Sequence, residues 1–123
     1  MKEGLTYSCT TVVDKTNTAA ALGSGTLYVL STPSMIALME NASFKAVETS
    51  LNSGETTVGT SINILHLKAS PIGETIKATS TLTKVEGRHL YFDVIAEDSV
   101  GVIGKGTHER FIVNVDKFLA KLK

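Results

Sequence analysis

One acidic side chain falls on the apolar face of a predicted helix. The period of apolar residues predicts a single long amphipathic helix from Pro33 to about Thr49 or Leu51. At about 100° per residue, Glu40 lies beside Ile36 and Phe44, on the side that should face the rest of the fold. A carboxylate there is costly unless it is paired, hydrogen-bonded or protonated, and a carboxyl held out of water suits general acid or base chemistry. The alternative is that the helix rotates and Glu40 reaches solvent at the helix edge.

Two further side chains could assist such a carboxylate. Thr32 precedes Glu40 by eight residues and is predicted to be the N-cap of the helix, with Pro33 at its first position. A helix N-terminus also offers free N–H groups to developing negative charge. His66 lies in phase with Ile64 on an apolar strand face, where a lone histidine is usually a structural residue.

Gly59 and Arg110 are weaker candidates. Gly59, seven residues before His66, indicates either a bend in a strand or a place where a ligand approaches the backbone. Arg110 alternates in phase with His108, and a strand arginine usually pairs with a carboxylate or points to water. His108 and His89 carry less signal than His66.

The remaining pattern predicts the elements that position these residues. Period-two alternation and turn signals predict strands over residues 5–13, 56–69, 74–85, 89–97 and 102–115, with a loop or weak segment over 14–26 and a short terminal helix over 116–122. Successive strands joined by short turns form an antiparallel sheet. The prediction is therefore an α+β domain over residues 1–123, with one long helix against a curled sheet of about five strands.

Composition excludes several classes of protein. Lys plus Arg and Asp plus Glu are both 12, and this balance argues against a nucleic-acid partner. The chain is 42% hydrophobic and 20% charged, which excludes a disordered chain. No apolar run is long enough to span a membrane, and the N-terminus lacks the apolar core of a signal peptide. Cys9, the single cysteine, allows neither an internal disulfide nor a cysteine metal cluster, so a cytoplasmic location is expected.

Taken in order, these residues resemble the hot-dog-fold thioesterases, and most closely fluoroacetyl-CoA thioesterase and its relatives. The resemblance covers roughly residues 1–121. It is carried by Thr32, Leu38-Met39-Glu40, the segment from Val58 to His66, Val85-Glu86-Gly87-Arg88, Gly104-Lys105-Gly106-Thr107-His108-Glu109-Arg110 and Asp116-Lys117-Phe118.

The resemblance implies a helix wrapped by an antiparallel sheet, and a homodimer in which two chains pair to extend the sheet and share their sites at the interface. It implies that Thr32, Glu40 and His66 form the catalytic group. Gly59 would supply a backbone N–H near the thioester, and Arg110 would lie near the site or the interface. No metal and no cofactor is expected beyond the coenzyme A of the substrate.

One segment departs from the family. Residues 21–30 are glycine-rich and contain no phenylalanine, whereas the fluoroacetyl enzyme has a longer, phenylalanine-containing lid there. We therefore expect hydrolysis of some short-chain acyl-CoA, with Glu40 activating water or attacking the carbonyl, His66 orienting it or transferring a proton, and Thr32 orienting. The alternatives are a non-catalytic acyl-CoA-binding or ligand-sensing hot-dog protein, and a structural dimer in which Glu40 and His66 satisfy each other.

Overall fold

Five antiparallel strands curl around one long helix in the computed structural model, which describes residues 1–123. The strands are β1 (Thr6–Val12), β2 (Glu55–His66), β3 (Thr75–Glu86), β4 (His89–Glu97) and β5 (Val102–Asn114), in the sheet order β1-β3-β4-β5-β2. The helices are α1 (Ala19–Leu22), α2 (Thr32–Val47) and α3 (Val115–Ala120), with a 3₁₀ turn (Glu48–Ser50) after α2. The predicted α+β architecture is confirmed. No helix combines the length and apolar character needed to cross a bilayer.

The start of α2 differs from the prediction by one residue. Ser31, not Thr32, is the N-cap: its backbone is extended, and its hydroxyl accepts a hydrogen bond from the Ser34 N–H at 3.1 Å. Thr32 is already the first helical residue, and Pro33 follows it in the first turn, where its missing N–H has no cost. The prediction of Thr32 as N-cap is therefore wrong. Because Ser31 caps the helix, the Thr32 hydroxyl is free for another partner.

The core lies between α2 and the sheet. Burial alternates along β3 and β4 as predicted, so that one face of each strand packs against the helix. The residues buried between the helix and these two strands are Met35, Met39, Ala42, Ala46 and Val47 from α2, Ile76, Ala78 and Leu82 from β3, and Leu90, Phe92, Val94 and Ala96 from β4.

A one-residue bulge in β2 changes which side chains face α2. Gly59 pairs with Arg110 and Ser61 pairs with Glu109, so Thr60 is the extra residue. Beyond the bulge, the ladder continues until His66 pairs with Gly104. Cross-strand partners point to the same side of a sheet. Gly59 and the last residue of β2 therefore share one face, although one position is odd and the other even.

That shared face is the one against the helix. A Cβ atom on Gly104 would lie 2.6 Å from the Met35 sulfur, so this side of β5 touches α2. Unbroken alternation along β2 predicts that Val58 and Thr60 share a face with His66. Val58 instead pairs with Phe111 on the other face of β5, and Thr60 is the bulged residue, so this prediction is wrong. Simple alternation carries no information about an inserted residue, and the bulge reverses the phase of the strand at that point.

Glycines inside a strand, such as Gly104 and Gly106, indicate either a bend or a close approach of the backbone, and here the structure shows close approach. A Cβ atom on Gly106 would overlap the carbonyl of Asn63 on β2, and one on Gly104 would overlap the Met35 side chain. β5 can therefore lie this close to β2 and α2 only with glycine at both positions.

We expect Gly106→Ala to destabilise the fold, because the added methyl group meets backbone atoms that cannot rotate away. Overpacking of this kind typically costs about 1–3 kcal/mol, measurable as a lower midpoint in urea denaturation. Gly25→Ala is the control, because its Cβ would meet only the Ala19 methyl group at 3.3 Å. Equal midpoints for Gly106→Ala and the wild type would contradict the close approach.

Candidate active site

Thr32 and His66 form a hydrogen-bonded pair. The Thr32 Oγ1 lies 2.8 Å from Nδ1 of His66, joining the first turn of α2 to the end of β2. Burial lowers the pKa of His66 below its usual 6.5, an effect partly offset by the backbone of Lys68. The other ring nitrogen, Nε2, is buried and has no hydrogen-bond partner in the chain. The pair is thus a neutral imidazole with one nitrogen held by a hydroxyl and the other available to a further group.

A small cavity opens beside this pair. Its volume is about 300 Å³, at the lower end of the size range of ligand pockets. Five of the nine lining residues are aliphatic, and the pair supplies two of the four polar ones. The lining residues are Ala19, Ser24, Val29, Leu30, Thr32, His66, Leu67, Lys68 and Ala69.

The loop after His66 is held by a buried carboxylate. Asp98 accepts hydrogen bonds from Lys68 Nζ at 2.5 Å and from the Ser70 hydroxyl at 2.9 Å. Chiefly because of Lys68, the pKa of Asp98 falls to about 2. The β4–β5 turn is therefore tied to the chain that follows His66, and Lys68 is held at the wall of the cavity.

Glu40 faces the sheet two turns of helix beyond Thr32. A Cβ atom on Gly59 would lie 3.2 Å from the Glu40 Oε2 and 3.4 Å from the Arg110 Nη1, so both charged groups border the space above the glycine. Glu40 is half-buried and makes no hydrogen bond or ion pair within the chain. The carboxylate has the sheet-facing position that the sequence predicts, and no side chain of the same chain forms an ion pair with it.

Arg110 is buried without a carboxylate partner. Its Nε donates to the Thr57 hydroxyl at 2.8 Å, its Nη2 to the Thr57 carbonyl at 3.0 Å, and its Nη1 to Nε2 of His108 at 3.2 Å. A guanidinium has five N–H bonds, so these three contacts leave two free. Burial lowers the pKa of Arg110, and the charge of Glu40 opposes this. The arginine neither pairs with a carboxylate nor points to water, which are the two usual outcomes for an arginine on a strand.

His108 has a more central place in the structure than its weak sequence signal indicates. It is buried, and its Nδ1 donates to the Ser61 carbonyl at 2.8 Å, beside the bulge. Burial lowers its pKa, as it does for His66. The signal that could have identified it is its spacing of two residues from Arg110, which puts both on one face of β5.

Within one chain, the predicted site residues lie in two separate groups, which we call half-sites. One consists of Thr32 and His66, and the other of Glu40, Gly59 and Arg110. Thr32 and Glu40 are eight residues apart, which corresponds to about 12 Å along a helix axis. Gly59 and His66 are seven residues apart, about 23 Å along a strand. Thr32 therefore meets His66, and Glu40 meets Gly59 and Arg110, but Glu40 and His66 make no contact within one chain. No group of three or more His, Cys, Asp and Glu side chains is arranged to hold a metal ion.

Comparisons of the sequence with known proteins give matches along most of the chain. The family model described as fluoroacetyl-CoA-specific thioesterase (FlK) matches residues 13–116. The fluoroacetyl-CoA thioesterase of Streptantibioticus cattleyicolor is 43% identical over 95 residues, which are 77% of this chain and 68% of that protein.

Solved structures give the same result. A mutant of FlK in complex with acetyl-CoA has a TM-score of 0.91 at 36% identity, covering 99% of this chain and 96% of that one. A hot-dog-like protein from Thermanaerovibrio acidaminovorans has a TM-score of 0.91 at 22% identity, covering 99% and 90%. The expectation of a hot-dog fold is confirmed.

We expect the half-buried imidazole of His66 and the buried imidazole of His108 to titrate below pH 6.5 in the folded protein, because burial disfavours their charged forms. The stability supplied by the neutral forms is full above the unfolded pKa of 6.5 and is lost as the pH falls below it. NMR titration of the ring Cε1–H signals measures this, with the urea-unfolded chain as control. Thr32→Val should move the His66 titration and leave that of His108 unchanged. A folded His66 that titrates at or above 6.5 would contradict its burial.

Proposed function

Because the chain belongs to the FlK family of fluoroacetyl-CoA-specific thioesterases and is a thioester hydrolase, we propose that it cleaves a short-chain acyl-CoA to the free acid and coenzyme A. The observation that carries the proposal is a pair of unsatisfied groups. Nε2 of His66 is buried without a partner, and the Glu40 carboxylate faces the sheet without one. Each borders open space in its own half-site.

The two half-sites would supply complementary parts of thioester hydrolysis. Glu40 activates water or attacks the carbonyl carbon directly, and in the second case water then hydrolyses the resulting anhydride. Electron density moves to the thioester oxygen, where a backbone N–H near Gly59 or the free N–H bonds of Arg110 donate to it. His66 orients the Glu40 carboxylate or passes a proton to the departing thiolate, and Thr32 holds the imidazole ring in place.

Two chains would complete one site. β2 is an edge strand of 12 residues, and its outer edge has no partner in the chain. Such an edge is a ready template for another strand. If two copies of β2 pair antiparallel about a two-fold axis through Asn63, Gly59 lies opposite His66 of the partner subunit, because each is three ladder positions from that axis once the bulged Thr60 is left out. Glu40 and Arg110 of one chain then face the partner subunit's His66 and the partner subunit's Thr32.

The cavity beside Thr32 supports a short acyl group. Small and aliphatic side chains make up most of its lining, which suits a small apolar acyl group. One of its walls comes from the glycine-rich segment over residues 21–30, through Ser24, Val29 and Leu30. Leu27 and Tyr28 in the same segment are largely exposed. The segment has no phenylalanine, so we propose acetyl- and propionyl-sized substrates without assigning a preference for fluoroacetyl-CoA.

We expect Glu40→Gln to lower the rate of thiol release from acetyl-CoA or propionyl-CoA by about 10²–10⁴-fold, because the amide can neither accept a proton nor attack. A thiol reagent measures free coenzyme A directly. Glu48→Gln is the control, because Glu48 is exposed just beyond the end of α2. Turnover in Glu40→Gln equal to wild type would remove Glu40 from the chemistry. Binding of acyl-CoA by the wild type without release of thiol would favour the non-catalytic binding protein.

A mixed dimer tests whether the site crosses the interface. Glu40→Gln and His66→Ala chains, carrying different tags, are produced together and the heterodimer is purified. A site shared between chains leaves one intact copy, so we expect about half of wild-type activity. The control is a heterodimer with Glu40→Gln in both chains, which has no intact site. If the mixed heterodimer is as inactive as this control, each site lies within one chain.

A further inference from the structure

The surroundings of Arg110 are unusual for a buried cation. Buried charges are normally paired with an opposite charge. Arg110 is held instead by three neutral acceptors: the hydroxyl and the carbonyl of Thr57, and the imidazole of His108. The nearby carboxylate of Glu40 does not form an ion pair with it. A guanidinium held by neutral acceptors has a positive field that can act on a negative charge that arrives later.

The hydrogen bonds of His108 fix its protonation state. A carbonyl oxygen can only accept, so Nδ1 must carry the proton that bonds to Ser61. A guanidinium can only donate, so Nε2 must be the unprotonated nitrogen that receives the Arg110 Nη1–H. His108 is therefore a neutral ring in one tautomer. It joins the carbonyl beside the β2 bulge to the edge of the guanidinium.

We propose that His108 is a positioning residue for the thioesterase reaction: as a neutral acceptor it holds Arg110 so that the free N–H bonds of the guanidinium point into the space above Gly59, where Glu40 also lies. The inference rests on the proposed function and adds a residue that acts only through Arg110. The carbonyl of Ser61 fixes the ring, the ring fixes Nη1, and Thr57 fixes the other two nitrogens. The charge that polarises the thioester is thus tied to the bulge in β2.

Protonation of His108 would break this arrangement. An imidazolium cannot accept the Nη1–H, and it would place a second cation against Arg110. The charged groups that act on His108 are Arg110 and Glu109 from its own strand and Glu40 from α2. The β2 and β4 residues against the ring, Ser61, Ile62 and Phe92, carry no charge. Burial, followed by Arg110, lowers the pKa of His108 more than the Ser61 carbonyl and the two carboxylates raise it, so the arrangement holds at neutral pH and is lost on the acid side.

Two substitutions separate positioning from packing. His108→Leu keeps apolar bulk but removes the acceptor, and we expect kcat/KM to fall by about 10–100-fold, since a small displacement of a charged group can cost up to about that much. His108→Gln offers an amide oxygen to Arg110 and cannot be protonated. We expect it to restore kcat/KM close to wild type, with a less steep loss of kcat/KM on the acid side because one titrating group is gone. His89→Gln, on the same sheet but outside the site, is the control.

The outcomes are distinct. An unaltered kcat/KM in folded His108→Leu, or an acid limb in His108→Gln as steep as in wild type, overturns the proposal. A second measurement does not need catalysis: removing the cation in Arg110→Met should raise the pKa of His108 in NMR titration, because Arg110 lowers it. If wild type releases no thiol yet this shift appears, the proposed function fails while the contact stands. If the shift is absent, the contact itself is refuted.

Discussion

A single inserted residue in β2 is the constraint on which the rest of the arrangement depends. If Thr60 were paired in the ladder instead of bulging out of it, the strand would alternate evenly, and Gly59 and His66 would lie on opposite faces of the sheet. One half-site would then open to solvent while the other faced the helix. The bulge lets one strand present a glycine to Glu40 and an imidazole to Thr32, both on the side of α2.

At the start of α2, one hydroxyl group caps the helix and a different one contacts the histidine. Ser31 caps α2 by accepting the N–H of Ser34, so the hydroxyl of Thr32 is available to His66. Farther along, Met35 and Met39 are fully buried in the core, while Glu40 stays at the junction with β2 and β5. Polar groups left unpaired in this way cost stability. The continuous apolar contact of α2 with β3 and β4 offsets that cost.

Local patterns in the sequence were enough for the elements but not for the contacts between them. α2, β3 and β4 have regular periods, and Glu40 stood out because it interrupts one of them. The sequence alone does not identify the capping residue, because Ser31 and Thr32 both have a suitable hydroxyl group. Which of them caps the helix depends on which one contacts His66. The bulge and the His108–Arg110 contact depend on the register between β2 and β5, which are far apart in the chain. No local period encodes that register.

The two glycines of β5 also have a consequence for how this enzyme can change over generations. Because Gly104 packs against Met35 and Gly106 against the backbone of Asn63, no larger side chain fits at either position between α2, β2 and β5. Another wall of the cavity comes from the surface segment over residues 21–30, where Leu27 and Tyr28 are exposed to solvent and pack against little. Substitutions are therefore accommodated more readily in that segment than beside Gly104 and Gly106, so the lining of the cavity can vary while the contacts between α2, β2 and β5 are conserved.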